Sequence, residues 1–320
     1  MTAIAVVAVG GNALAPEGEE ATYEHQRGNA LSAAGAIVGL WDAGYRVAVT
    51  HGNGPQVGRL ALQQEVAADL VPRQPLFVLG AMTQGQIGHV LLSALHETIG
   101  GRAIEPVAVV THVLVDAADA AFTRPTKPIG LFFSAGEARE LSERYGWQVA
   151  EDSHRGHRRV VPSPAPLAIV EARALRLLVE AGFLVIASGG GGIPTVQARG
   201  GGLAGVEAVV DKDLAAARLA TAIGANLLVL ATAVDRVQVG FGTPSAAPVE
   251  ELTEAEAESF LRQGQFAAGS MAPKIEAAVW FLRDGGELAI ITSPAHVLEA
   301  VRGEHGTRVV PSHAGAPFER

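Results

Sequence analysis

Lys127, Lys212 and Lys274 are the only lysines among the 24 basic residues of this 320-residue chain; all the others are arginine. The bias makes the exceptions informative. A guanidinium is a flat, permanently charged fork, whereas an ammonium is a compact point charge on a flexible stem, suited to tucking against one phosphate oxygen. Each lysine also lies in a short stretch bounded by Pro, Gly or Asp: RPTKPIG, VVDKDLA and GSMAPKIEA. None resembles a solvated helix face, lysine's ordinary setting. In the second stretch Lys212 stands between Asp211 and Asp213 at the start of an Ala-rich run. Acidic residues are common at helix starts, where they meet favourable partial charge. A carboxylate there can also pair with lysines and hold their charge where phosphoryl charge builds up, and phosphoryl transfer depends mainly on such positioning and electrostatic stabilisation.

Glycine is the second signal. It fills 38 of the 320 positions, well above the usual share of about 7%. Much of the excess falls at Gly10-Gly11, Gly52-Asn53-Gly54, Gly189 to Gly192 and Gly200 to Gly202, mostly where apolar runs end. Without a Cβ, such loops let backbone N–H groups approach an anion, and a following helix N-terminus adds favourable partial charge. Two or three of them converging at one sheet edge would form a phosphate or carboxylate site.

Other chemistries fall away. The chain has no cysteine, so disulfides, thiolate nucleophiles and Cys-based zinc sites are excluded. The ten histidines contain no His-Glu-x-x-His, and His154 and His157 lie in an Arg-rich stretch expected to be exposed, so no metal ligands are assigned. His51, directly before a glycine loop, is expected to shape that loop. Ser270 lacks the context of an activated nucleophile. No lysine follows a glycine, which rules out the P-loop, and Gly52, Gly54 and Gly58 have the wrong spacing for a dinucleotide fingerprint, with Pro55 intruding.

The elements that must carry these groups alternate. AIAVVAV runs into GGNAL, RVAVTH into GNGPQVG, FLVIAS into GGGGIPT and NLLVLAT into AVDRV. Continuous apolar runs of this length suit strands covered on both faces, as in a parallel sheet flanked by helices. Helical stretches are expected at residues 28–43, 56–69, 84–98, 165–181 and 212–223. The pattern predicts an α/β fold, with ligands beyond the carboxyl ends of the strands. Residues 117–164 break the rhythm and read as an excursion, a small lid or arm whose segment LFFSAGEARELSERYGWQV has enough apolar content to fold.

The formal net charge of −9 argues against a sequence-independent grip on nucleic acid. The opening apolar run has no basic flank and stops at Gly10 and Gly11, so it reads as a buried strand and not as a signal peptide or membrane span. A cytoplasmic protein is the expectation.

Eight stretches, GGNAL, HGNGPQVG, TQGQIG, PTKPIG, RRVVPSP, GGGGIP, GVEAVVDKDLA and GQFAAGSMAPK, occur in the order found in the carbamate kinases of the amino-acid-kinase superfamily, and the chain resembles that family over nearly its whole length. The resemblance implies reversible transfer of a phosphoryl group between ATP and carbamate, giving ADP and carbamoyl phosphate, with Mg2+ accompanying the nucleotide. It implies a three-layer sandwich around a mainly parallel sheet, usually a homodimer. Residues 1–206 would form a carbamate-binding lobe, with a projecting subdomain at about 117–164, and residues 207–320 a nucleotide-binding lobe. Carried across, Gly10, Gly11 and Asn12 lie near the transferred phosphoryl group, and Gly52, Asn53 and Gly54 surround the carbamate. Lys127 reaches in from the projecting subdomain, Lys212 and Lys274 flank the phosphoryl, and Asp213 orients them. Thr232, Gly269, Ser270 and Met271 help to form the nucleotide pocket. Where many superfamily relatives carry a lysine before the first Gly-Gly pair, this chain has Ala8, and Lys212 takes over that charge, as in the carbamate kinase branch. Relatives of this kind often make ATP from carbamoyl phosphate during arginine breakdown. The alternatives are another kinase of the superfamily, acting on an acylated amino acid or a nucleoside monophosphate, or a nucleotide-binding protein of the same fold without turnover.

Overall fold

The computed structural model describes residues 2–312 except 17, 153, 154, 244 and 268. Among these residues eight strands form one sheet, in the order Glu251–Thr253, Thr307–Val310, Leu288–Thr292, Leu227–Ala231, Ile4–Val9, Arg46–His51, Phe183–Ile186 and Glu105–Ala108. From Leu288–Thr292 to Glu105–Ala108 every pairing is parallel, so these strands share one carboxyl edge.

Alternation along the strands explains the apolar runs. Val6 and Ala8 join a core cluster with the helices Lys212–Ile223 and Ala272–Arg283, while Ala5, Val7 and Val9 join another with the helices Tyr23–Asp42 and Leu76–Ile99. With helices on both faces, neither side of the central strands can be polar, and a continuous Val/Ile/Ala run is the result. Leu76–Ile99 is the one described helix long and apolar enough to cross a membrane by length and composition. Here it is a core helix, with Ile87, Val90, Leu91, Ala94 and Leu95 packed against the sheet.

The expected helices appear at Tyr23–Asp42, Gly54–Val66, Leu76–Ile99 and Lys212–Ile223. The stretch 165–181 is corrected: it splits into a strand, Pro166–Ile169, and a shorter helix, Ala172–Ala181. Periodicity does not separate a short apolar strand from a buried helical segment, and Pro164 with Pro166 disfavours a helical start upstream of Glu171. The strand pairs with His112–Val115 in a four-stranded sheet that also holds Ile193–Gln197 and Leu203–Gly205.

Within residues 117–164 the chain forms a three-stranded sheet of Lys127–Phe133, His157–Val161 and Val149–Glu151, with the helix Ala135–Tyr145. That helix begins with a capping box between Ser134 and Glu137 and ends at Gly146, whose φ of 70° is left-handed. The unit docks on the helix Gly54–Val66 backbone to backbone, because a Cβ on Gly58 would fall 2.1 Å from the Cα of Gly130. Trp147 reinforces the contact, donating its Nε1–H to Glu65 at 3.3 Å.

Candidate functional site

The strands Ile4–Val9 and Arg46–His51 run side by side and end together, which brings their two glycine loops into contact. A Cβ on Gly52 would fall 2.7 Å from the Gly11 nitrogen and 3.1 Å from Cδ of Lys212. The stem of Lys212 therefore lies directly over the paired loops. The third loop closes from behind: a Cβ on Gly190 would meet the Asn53 amide at 2.2 Å, and one on Gly191 would meet the Val210 carbonyl at 2.4 Å. These approaches leave no space for side chains, and Gly190 and Gly191 also have left-handed φ values of 66° and 86°.

Gln84 ties this arrangement together. Its amide donates to the carbonyls of Thr111 and Gly189, each at 3.0 Å, and its carbonyl accepts from the Thr111 N–H at 2.8 Å. Asn53 donates through Nδ2 to Thr83 at 2.8 Å. His51 is fully buried, with Nδ1 3.1 Å from the Gly52 carbonyl. Burial pushes its pKa down to about 4, although the bond to Gly52 works in the opposite direction. It is thus a neutral support for the loop, as expected from its position.

The charged half of the site is built on the start of the helix Lys212–Ile223. Asp211 caps that helix, one carboxylate oxygen accepting from the N–H groups of Asp213 at 2.8 Å and Leu214 at 3.5 Å. Asp213 receives two ammonium groups, Lys212 at 2.5 Å and Lys274 at 3.0 Å. Lys274 comes from the first turn of the helix Ala272–Arg283 and also donates to the Ser270 carbonyl at 3.1 Å. Lys127, from the first position of the strand Lys127–Phe133, pairs with Asp211. Three lysines from three elements are therefore held by two aspartates one residue apart on either side of Lys212.

Burial would push the Asp213 carboxyl up, but the ammonium groups of Lys212 and Lys274 outweigh it and hold the acid below its ordinary range. Asp211 behaves the same way: burial raises it, and the neighbouring Lys127 and Lys212 hold it low. Lys212 is pushed down by burial, with Asp213 pulling it back and Lys274 opposing. Three ammonium groups are thus fixed by two carboxylates in a largely buried place, with Lys212 and Lys274 side by side on Asp213, an arrangement that suits a phosphoryl group.

Of the residues singled out in the sequence, Lys127, Lys212, Asp213, Lys274, Gly11 and Gly52 converge here, with Gly10 capping the short helix Gly11–Leu14. The backbone of Asn12 lies in that helix, and its side chain lies outside the described residues, as does His154. Gly54 opens the helix Gly54–Val66 and faces the projecting unit, where a Cβ would lie 3.8 Å from the Pro128 carbonyl and 4.0 Å from the Arg158 guanidinium. Gly269, Ser270 and Met271 form the turn before Lys274. Thr232 follows the strand Leu227–Ala231 at the shared carboxyl edge, its N–H donating to the Thr292 carbonyl at 2.8 Å. The sequence reading gave no role to Gln84 or Arg158, and took Asp211 as a helix start without assigning it to Lys127. Gln84 and Arg158 lie in TQGQIG and RRVVPSP, motifs visible in the chain, but nothing local says what they touch.

Comparisons with known proteins give the family and the overall fold. The amino acid kinase family matches residues 3–293. A carbamate kinase from Pyrococcus horikoshii is 43% identical over 310 residues, which cover 96% of this chain and 98% of that protein. Among solved structures, a carbamate kinase from Giardia lamblia bound to citric acid superposes with a TM-score of 0.92 at 40% identity, covering 97% of this chain and 99% of that one. The same enzyme bound to AMP-PNP gives a TM-score of 0.88 at 40% identity, again over 97% and 99% of the two chains.

Proposed function

The chain belongs to the amino acid kinase family and, within it, to the carbamate kinases, and on that footing we propose how its residues divide the work of moving a phosphoryl group between ATP and carbamate. The reaction joins a carbamate oxygen to the γ-phosphorus of ATP and breaks the bond from that phosphorus to the ADP oxygen, giving ADP and carbamoyl phosphate; it runs in both directions. Carbamate is already an anionic oxygen nucleophile, so no general base is needed. A neutral, buried His51 is consistent with that economy.

The observation that carries this reading is the gathering of Lys127, Lys212 and Lys274 on Asp211 and Asp213 beside the Gly11 and Gly52 loops. Lys212 and Lys274, oriented by Asp213, flank the phosphoryl in flight, and Lys127 approaches from the projecting unit. The backbones of Gly10, Gly11 and Asn12 face the phosphoryl group, and those of Gly52, Asn53 and Gly54 surround the carbamate. Thr232, Gly269, Ser270 and Met271 line the nucleotide side; that the chain takes a nucleotide is in keeping with the Giardia relative having been solved bound to AMP-PNP. Among the described residues no group of three His, Asp or Glu could hold a metal ion, and Asp211 and Asp213 are engaged by lysines. Magnesium, which the family resemblance implies, would accompany the nucleotide as part of the substrate. A homodimer, a cytoplasmic setting and a physiological direction toward ATP in arginine breakdown complete the reading.

The test is a coupled assay of the purified protein with MgADP and carbamoyl phosphate. Rapid ATP formation is expected. Nucleotide binding without turnover, or activity with a different acceptor only, overturns the assignment.

A further inference from the structure

We propose that Asp211 is a positioning residue for phosphoryl transfer, acting through Lys127, and that the two acids flanking Lys212 each hold a lysine from a different part of the chain. This rests on the reading of the three lysines given above and adds a separable claim to it. The two oxygens of Asp211 have different partners. Oδ1 accepts from the N–H groups of Asp213 and Leu214 at the start of the helix, at 2.8 and 3.5 Å, and Oδ2 meets the ammonium of Lys127.

The division has a mechanical consequence. Capping fixes the carboxylate plane against a rigid helix, so the direction in which Oδ2 points is also fixed. Lys127 lies 84 residues away on a strand of the projecting unit, with four rotatable bonds between backbone and charge. Left alone, such a side chain spreads over many rotamers, and ordering it on substrate binding is costly. Asp211 occupies one of its three N–H donors and leaves two for phosphoryl oxygens. The same logic operates at Asp213, whose Oδ1 takes Lys212 and whose Oδ2 takes Lys274.

Asp211→Asn and Asp211→Ser separate the two functions of this residue. Each keeps an oxygen able to cap the helix, while asparagine turns an N–H toward the ammonium and serine offers nothing there. Both variants are expected to melt near the parent protein and to lose about tenfold in kcat for ATP formation from MgADP and carbamoyl phosphate, the scale of one charge-assisted hydrogen bond. Asp211→Ala should lose the same activity and also melt lower. The deciding measurement is a cycle with Lys127→Ala, itself expected to lose roughly 100-fold. In that background Asp211→Asn should change the remaining rate by less than about threefold, because the ammonium it hydrogen-bonds is gone and only the neighbouring charge of Lys212 remains.

A Lys127→Ala protein of normal activity would overturn the proposed site as a whole. If Lys127→Ala is impaired while Asp211→Asn and Asp211→Ser match the parent, only the present inference is overturned. An Asp211→Asn loss that is equal with and without Lys127 also overturns it, since the residue would then act by another route.

Discussion

On the glycine side of the site, at residues 10–11, 52–54 and 189–192, the loops pack tightly against one another's backbone and against the side chains of His51 and Asn53, with the stem of Lys212 laid over Gly52. Gly52 abuts Gly11, and Gly190 abuts Asn53, with no room for a methyl group. On the lysine side, long side chains from three elements are drawn together by two carboxylates. The first wall fixes shape, the second supplies charge. Substitutions should therefore separate: loss of charge removes activity and spares the fold, whereas loss of a contact glycine harms both.

The largest effect is expected at Lys212. Lys212→Ala should lower kcat by roughly 100-fold or more, the scale for losing one preorganised stabiliser of transition-state charge. Asp213 would still hold Lys274, so thermal melting should shift by only a few degrees. A variant that keeps most of its activity would show that the charge wall is not what drives the reaction.

Gly52→Ala tests the other wall. The new Cβ cannot avoid the Gly11 nitrogen, so a destabilisation of about 2–3 kcal/mol is expected in denaturant unfolding, within the range for overpacked sites. Activity should fall with it, because the stem of Lys212 lies 3.1 Å from the same position. Normal stability with normal activity would mean that the loops part easily.

A smaller effect concerns pH and belongs to the glycine wall through His51. Its folded pKa of about 4 lies below the ordinary 6.5, so the unfolded chain binds the extra proton first. The neutral, buried ring thus contributes stability that is complete above pH 6.5 and is lost as pH falls toward 4. The loss by pH 4 should be on the order of 3 kcal/mol. His51→Gln should flatten melting temperature against pH in that window, and an unchanged slope would place the acid sensitivity elsewhere.

The smallest effect marks the limit of the comparison. Gly35 is exposed inside the helix Tyr23–Asp42, and a Cβ there meets nothing within 4 Å. Gly35→Ala should raise stability by about 0.5–1 kcal/mol, since only the helix cost of glycine is removed. A loss of stability would show that glycines of this chain matter outside the close contacts too.

How legible the molecule is follows the same division. The central strands could be read because covering both faces forces an apolar run, and where glycine follows the run it marks the carboxyl edge; Ile4–Val9 and Arg46–His51 are plain examples. The strand Pro166–Ile169 could not, since four residues carry too little periodicity to separate strand from helix. The lysines stood out by rarity alone. Asp211 read as an ordinary helix start, which it is, and nothing nearby in the chain revealed its second partner.

What the sequence determined by itself was therefore the set of parts: an α/β sheet with glycine loops after several of its strands, three isolated lysines, and an aspartate on each side of one of them. Tertiary structure alone decided which carboxylate holds which ammonium, and that Gly58 and Gly130 seat the projecting unit so that Lys127 can reach the helix start. The reason is physical. Strand burial and turn chemistry act over a few neighbouring residues, whereas an ion pair across 84 residues exists only because packing of the intervening chain brings its two ends within reach.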